Sequence, residues 1–226
     1  MIRVLQMNCG RSGDVMTDFL RSARREAEVV LIQEPWVREN EEIGGGWQTI
    51  GDGNFIFLLS TGTGRRPKTL IGVKRDVEWH QYAGVDDPDL IAVEIDGVRI
   101  FNVYNQRHPE EVDRQWTLDR IDIRPHLTSQ WVVAGDFNAH HPIWTGEDRL
   151  PVNWQATLRI IEAGTLMLEP GTATRIGRSG QQNSTIDLVI ASPRMTDRMG
   201  TAEVAEDLQA GSDHECISWG WGPGLT

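Results

Sequence analysis

Apolar and polar positions along this chain fall into short runs that predict strands, and several runs end on a polar pair. Arg3 to Asn8 alternates around Val4, Leu5 and Met7 and ends in an amide. Val29-Val30-Leu31-Ile32 reads as a buried strand and gives way to Gln33, Glu34 and Pro35. Val132-Val133-Ala134 is a third, closed by Gly135 before Asp136 and Asn138. Ser184 to Ile190 places Asp187 inside a strand that is otherwise core, and Ser212-Asp213-His214 precedes a last strand from Glu215 to Trp221. Further strands are predicted near 55–60, 69–74, 77–83, 90–95 and 98–104, with Asp96-Gly97 as the hairpin turn between the last two. Helical spacing predicts helices over Asp14–Ala27, Glu110–Leu127 and Trp154–Ala163. Gly44-Gly45-Gly46 and Gly51–Gly53 mark loops. Strands alternating with a few helices, with no repeat and no linker, predict one α/β domain over residues 1–226.

Composition narrows the class. Hydrophobic residues make up 39% of the chain and there are nine tryptophans, which excludes a disordered segment. No apolar run approaches the roughly 20 residues a membrane span needs. A strand is predicted from residue 2, so no secretory signal is expected. Cys9 and Cys216 lack zinc-ligand spacing and read as buried thiols, so an intracellular, reducing compartment is expected.

The polar residues at strand ends are the candidate chemistry. A two-residue period sends Asp136 and Asn138 to one side if strand geometry persists, where an acid and an amide can hold a water against an electrophile. The competing reading is a turn in which both bond their own backbone. Buried carboxylates are costly unless paired or metal-bound, so Glu34, Asp136, Asp187 and Asp213 point to one shared cleft.

The blocks Gln6-Met7-Asn8, Gln33-Glu34-Pro35, Tyr104, Gly135-Asp136-Phe137-Asn138, Ser184-x-x-Asp187 and Ser212-Asp213-His214, in this order, resemble the endonuclease/exonuclease/phosphatase superfamily. DNase I and the exonuclease III-type AP endonucleases belong to it. Together the blocks cover nearly the whole chain. Gln33-Glu34-Pro35-Trp36, Ala139-His140-His141-Pro142-x-Trp144 and Ser184-Thr185-Ile186-Asp187 resemble a narrower group, the endonuclease domains of non-LTR (LINE-type) retrotransposons. The resemblance implies a four-layer α/β sandwich, two packed mixed sheets with helices outside. It also implies Mg²⁺-dependent nicking of double-stranded DNA, with Mn²⁺ as a substitute, leaving a 3′-hydroxyl that primes reverse transcription. The partners implied are a reverse transcriptase domain or element RNA of a longer parent protein, with nuclear action. The isolated domain is expected to be monomeric and away from membranes.

Residue by residue, the resemblance makes Glu34 the first metal ligand, with Asn8 and Asp213 completing or flanking the site. Asp136 orients or deprotonates the attacking water and Asn138 fixes the geometry. His214 stabilises the phosphoryl oxygen, Asp187 holds the imidazole, and Tyr104 contacts the scissile phosphate. The blander alternatives are a surface glutamate before a turn, an Asn8 bonded to the backbone of the next turn, an Asp187–arginine pair and a half-buried strand tyrosine. His140 and His141 either line the cleft or pack near Trp144. Two departures stand out: Asn105-Gln106-Arg107 replaces the proline-rich turn common in retroelement domains, and Cys9-Gly10-Arg11 lacks the acid that AP endonucleases carry there. The second argues against abasic-site repair.

Charge complicates a DNA substrate. The formal net charge is -11, whereas proteins that clamp long stretches of DNA usually carry a basic surface. Arg65, Arg66, Lys68, Lys74 and Arg75 cluster around one expected hairpin, and Arg175 and Arg178 lie in another loop. These, with Thr174, are the candidate DNA contacts, ordinary solvated turns being the alternative. Weak, salt-sensitive DNA binding is expected. A phosphatase or phosphodiesterase acting on a small ester, and a non-catalytic DNA-binding relative, are the competing functions.

Overall fold

A computed structural model describes residues 1–40, 46–60, 64–107, 115–148, 150–208 and 210–222. Its strands are β1 (Ile2–Asn8), β2 (Val29–Gln33), β3 (Val37–Asn40), β4 (Gly46–Thr49), β5 (Phe55–Leu59), β6 (Thr69–Lys74) and β7 (His80–Asp87). There follow β8 (Leu90–Ile95), β9 (Val98–Tyr104), β10 (Trp131–Asp136), β11 (Thr165–Leu166), β12 (Asp187–Ala191), β13 (Glu203–Val204) and β14 (Ile217–Trp221). The helices are α1 (Gly13–Glu26), α2 (Thr117–Arg120), α3 (Pro142–Thr145), α4 (Gln155–Glu162) and α5 (Pro193–Thr196).

Two mixed sheets of six strands carry the fold, ordered β13-β14-β1-β2-β6-β5 and β11-β12-β10-β9-β8-β7. Each is built around a parallel pair, β1 with β2 and β9 with β10, flanked by antiparallel neighbours. The period of two then sorts side chains into layers. Val4, Val29, Leu31, Ile71, Val93, Ile100, Val132, Ala134 and Val189 meet between the sheets. Leu5, Met7, Val30 and Ile32 point the other way, onto Met16, Phe19, Leu20 and Ala23 of α1. Phe101, Val103 and Val133 face outward onto Leu118 of α2, Ile123, Trp144 of α3, and Ala156 and Ile160 of α4. Three apolar seams therefore separate four layers, as expected of the sandwich.

Helix α1 follows from its sequence: Ser12 caps it, its hydroxyl accepting from Val15 N at 3.3 Å, and its apolar stripe covers the first sheet. The expected helix over Glu110–Leu127 does not form as one element. Residues 108–114 lie outside the described set, and beyond them only α2 and a single 3₁₀ turn, Arg124–His126, appear. Asp122 takes the backbone N–H of Arg124, and Pro125 has none to offer, so a continuous helix is interrupted there. The strand expected near 77–83 sits later, at β7, because Val77 and Trp79 pack against the inter-sheet core from outside any strand. A register irregularity between Gln81 and Asp86 bends β7. Only Gly46 of the glycine-rich loop is described, and it opens β4. The basic cluster is divided by β6: Arg65, Arg66 and Lys68 precede that strand, while Lys74 ends it and Arg75 follows.

Candidate active site

The inter-sheet face turns polar at one end. Along β1 it reads Val4, Gln6, Asn8; along β2, Val29, Leu31, Gln33; along β9, Ile100, Asn102, Tyr104; along β10, Val132, Ala134, Asp136. On antiparallel β12 the polar end comes first, Asp187, Val189, Ala191. One polar layer lies just inside the mouth. Gln33 Nε2 donates to Asn102 Oδ1 at 2.6 Å, Asn102 donates to the carbonyls of Ile32 and Leu70, and Gln6 donates to the Leu188 carbonyl. These amides tie the two sheets together beneath the catalytic candidates.

Above them, Asn8 Nδ2 donates to Asp136 Oδ2 at 3.0 Å across the sheets. Asp136 stands opposite Asp187 in the β10–β12 register, both essentially buried. His214 Nδ1 faces both Asp187 oxygens, at 3.1 and 2.9 Å. A carboxylate only accepts, so Nδ1 carries the proton and Nε2 points the other way, 4.0 Å from Asp136 Oδ2. That gap is beyond hydrogen-bond reach and leaves the Nε2 proton for a third group. Burial, then the adjacent Asp187, pushes the Asp136 carboxyl up to about 7, against the pull of His214 and Asn8. Burial alone would lower His214, but Asp187 and Asp136 outweigh it and raise the imidazole to about 9.

The backbone serves the same site. Gly135 has φ +140, and a Cβ there would lie 2.0 Å from the Val103 carbonyl oxygen, so glycine alone lets β10 deliver Asp136. Asn138 is left-handed (φ 45) and its N–H donates to Asp136 Oδ1 at 3.0 Å. The expected strand period therefore ends at Asp136: the local turn forms, and it holds the acid in place. Glu34, the first residue after β2, is also left-handed (φ 46). Its Oε1 accepts from Arg11 Nε and Nη2 at 3.0 and 2.7 Å, and Lys68 Nζ lies 4.0 Å away. The Tyr104 phenol faces the same carboxylate, and burial, followed by the charges of Glu34 and Asp136, drives its pKa upward and keeps it protonated.

The remaining expected residues divide. Asp213 is held by Arg175, whose Nε donates to it at 3.2 Å, and lies 3.6 Å from Arg178. Burial acts against its carboxylate form, but His214 and Arg175 together hold its pKa below the ordinary value. Thr174, expected at DNA, is fully buried instead; its hydroxyl accepts from the N–H groups of Ile186 and Asp187 at 3.0 Å each. It positions the start of β12, and with it Asp187. Arg65 pairs with Asp87 at 3.1 Å and Arg66 donates to the Val37 carbonyl, so both spend donors inside the protein. His141 accepts from Ile143 N and stacks on Trp144, which makes it a packing residue. Sequence reading gives no role of their own to Arg11 or Ser212, and places Lys68 only in the basic cluster, whereas here it stands beside Glu34. The Ser212 hydroxyl donates to the Asn8 carbonyl and accepts from His214 N, fixing the histidine's approach. The left-handed turns and the cross-sheet proximity that recruit these three have no local signature.

The donor set suits a hard divalent cation. Glu34, Asp136, Asp187 and the Asn8 amide offer oxygen, and His214 is the counter-cation, hydrogen-bonded to Asp187 and 4.0 Å from Asp136. Asp136, Asp187 and His214 place ligand atoms within 4.8 Å of one another. His214 Nδ1 is already committed to Asp187, so oxygen ligands at Glu34 and Asn8 fit Mg²⁺ chemistry better than that trio does.

Comparison with known proteins agrees with this fold. The endonuclease domain of TRAS1, a telomere-specific non-LTR retrotransposon, matches over 100% of both chains, with TM-score 0.77 and 22% identity. A 3′-5′ exonuclease (NExo) from Neisseria meningitidis matches over 98% of this chain and 100% of its own, with TM-score 0.67 and 18% identity. The AP endonuclease LMAP from Leishmania major matches over 98% and 88%, with TM-score 0.70 and 12% identity. No curated protein sequence matches the chain. Residues 98–218, more than half the chain and spanning β9 to the start of β14, match the family described as endonuclease-reverse transcriptase. The chain belongs to that family, and with it to the endonuclease/exonuclease/phosphatase superfamily of nucleases and phosphatases.

Proposed function

We propose that the protein is a Mg²⁺-dependent DNA endonuclease that nicks one strand of a double-stranded target and leaves a 3′-hydroxyl. In the parent element that end would prime reverse transcription in the nucleus, by a reverse transcriptase domain on element RNA. The observation that carries the reading is the join of two pairs, Asn8–Asp136 and Asp187–His214, across 4.0 Å at the mouth between the sheets. Phosphodiester hydrolysis needs an aligned water, stabilised phosphoryl oxygens and an assisted leaving group.

Asp136 accepts the proton of the attacking water and Asn138 keeps that carboxylate aimed. His214 donates through Nε2 to a non-bridging oxygen, with Asp187 holding the ring against rotation. Tyr104, protonated and beside Glu34, donates to the same phosphate. Glu34 and Asn8, flanked by Asp213, would hold the cation, whose chemistry when bound is to neutralise charge on the phosphate and leaving oxygen. Mn²⁺ is expected to substitute. Arg175 is the proposed contact to flanking phosphates, with Arg65 and Arg66 beside β6.

The test is supercoiled plasmid with Mg²⁺, alongside an Asp136→Ala variant and EDTA. Cation-dependent open circles, absent in the variant, support the reading. Intact plasmid with hydrolysis of a chromogenic phosphate ester would move the assignment to a small phosphate ester, the function that the net charge of -11 favours. DNA binding without hydrolysis of either substrate would indicate a non-catalytic relative.

A further inference from the structure

Arg11 has no part in the mechanism above, yet it makes the shortest ion pair at Glu34. Its N–H donates to the Glu34 carbonyl at 2.8 Å, and both residues sit in the left-handed region, φ 62 and φ 46. The turn after β1 is thereby locked to the end of β2. From that anchor Nε and Nη2 converge on a single oxygen, Oε1, at 3.0 and 2.7 Å. Lys68 Nζ stands 4.0 Å from the same atom, and the Glu34 N–H is fixed to the Lys68 carbonyl at 2.8 Å. Glu34 is thus charge-compensated within the chain. Asp136, by contrast, lies among buried acids and shares a single histidine with Asp187.

We propose that Arg11 is the resident counter-cation of Glu34 and sets how strongly the site takes a divalent ion. This rests on the reading that Glu34 holds that ion. A guanidinium and a divalent ion cannot both sit close to one carboxylate oxygen without strong repulsion, so ion binding requires Arg11 to yield Oε1. The guanidinium is half exposed, with 49% of its side chain accessible, and has room to leave, whereas Glu34 is anchored by its backbone. Arg11 is a positioning residue with a direction: it weakens ion binding in the free protein and keeps Glu34 from binding other cations indiscriminately.

The direction separates this from a merely structural salt bridge. If Arg11 only propped up Glu34, its removal would loosen the carboxylate and weaken ion binding. If it competes, its removal tightens ion binding. Isothermal titration of DNA-free protein with Mn²⁺ and Mg²⁺ reads this without activity. Arg11→Met is expected to bind about two- to fivefold tighter, the scale of one partly exposed ion pair. Arg11→Lys, which keeps the charge but loses the planar fork, is expected to lie between Arg11→Met and the parent. Equal or weaker binding by Arg11→Met overturns the proposal. Melting curves accompany each titration, and if Arg11→Met does not fold, Arg11→Lys carries the test with the same sign. Glu34→Gln in the parent and in the Arg11→Met background separates the two failures. Loss of binding in both places the ion at Glu34, so an unchanged Arg11→Met then counts against Arg11 alone. Unchanged binding in Glu34→Gln removes the ion from Glu34, and the functional assignment of that residue with it.

Discussion

His214 and Asp136 give the site a pH dependence that a single substitution can move. Asp136 acts as a base once it has lost its proton, so activity should climb as pH rises through about 7. His214 acts as a donor while protonated, so activity should fall as pH rises through about 9. Asp187 raises both groups, one as a like charge and the other as a counter-ion. Asp187→Asn should therefore move both limbs of the kcat/KM profile toward acid, while leaving the circular dichroism spectrum unchanged. Unmoved limbs would separate Asp187 from both groups. His214→Ala should lower kcat by about 10²–10³-fold with the fold intact, the usual loss when one preorganised donor to a developing charge is removed. A rate within a few-fold of the parent would take His214 out of the mechanism. Thr174 tests a different role. Thr174→Val leaves two buried N–H groups without their acceptor at a cost of about 1–3 kcal/mol, whereas Thr174→Ser keeps it. Thermal melts of the two variants should separate accordingly, and similar melts would mean that the hydroxyl does not support β12.

Strands show how far local pattern carries. β6, β8 and β9 lie where their short apolar runs and the Asp96-Gly97 turn put them, because a near-continuous apolar run bounded by turn residues is enough to specify a strand buried on both faces. Val77 and Trp79 misled because apolar residues can pack on a core from an irregular segment. The interrupted helix after residue 115 turns on Asp122 and Pro125, whose local effects outweigh the apolar spacing of Leu118, Ile121 and Ile123. Site residues at strand ends were legible because a carboxylate or amide closing an apolar run is chemically costly. Arg11 and Ser212 were not, since their partners are 23 and 204 residues away and reach them through left-handed turns and sheet pairing. β10 offers the test at this scale. Gly135→Ala places a Cβ against the Val103 carbonyl and should cost roughly 3 kcal/mol or more, lowering Tm by about 6–12 °C in a chain of this size. It should also reduce nicking beyond what the lost stability explains, because the strain displaces Asp136. A variant with parental melting and activity would mean that the strand tolerates a side chain there.

For the whole molecule, the issue is how a chain of net charge -11 engages a polyanion. Four of its 33 acids, Glu34, Asp136, Asp187 and Asp213, lie at the mouth, where a bound cation would offset them, and the excess acidity lies over the rest of the chain. The cations facing them are Arg11, Lys68, Arg175, Arg178 and His214. With few phosphate contacts available, DNA binding should be weak and its salt sensitivity carried by those few, so each contact should be individually visible. Arg175→Ala with Arg178→Ala should weaken binding and reduce the slope of log K against log salt by about 1.8, two phosphates at roughly 0.9 each. Arg65→Ala with Arg66→Ala should reduce it less, because Arg65 is spent on Asp87 and Arg66 on the Val37 carbonyl. Fluorescence anisotropy on an uncleaved duplex with Ca²⁺, at several salt concentrations, measures both slopes. If the Arg65/Arg66 pair flattened the slope more, DNA would run along the β6 side of the mouth, and Asp87 would have to release its arginine on binding. If neither pair altered it, affinity would rest on the cation and the scissile phosphate alone. The acidic surface would then act as a filter, admitting DNA at one point and repelling it elsewhere.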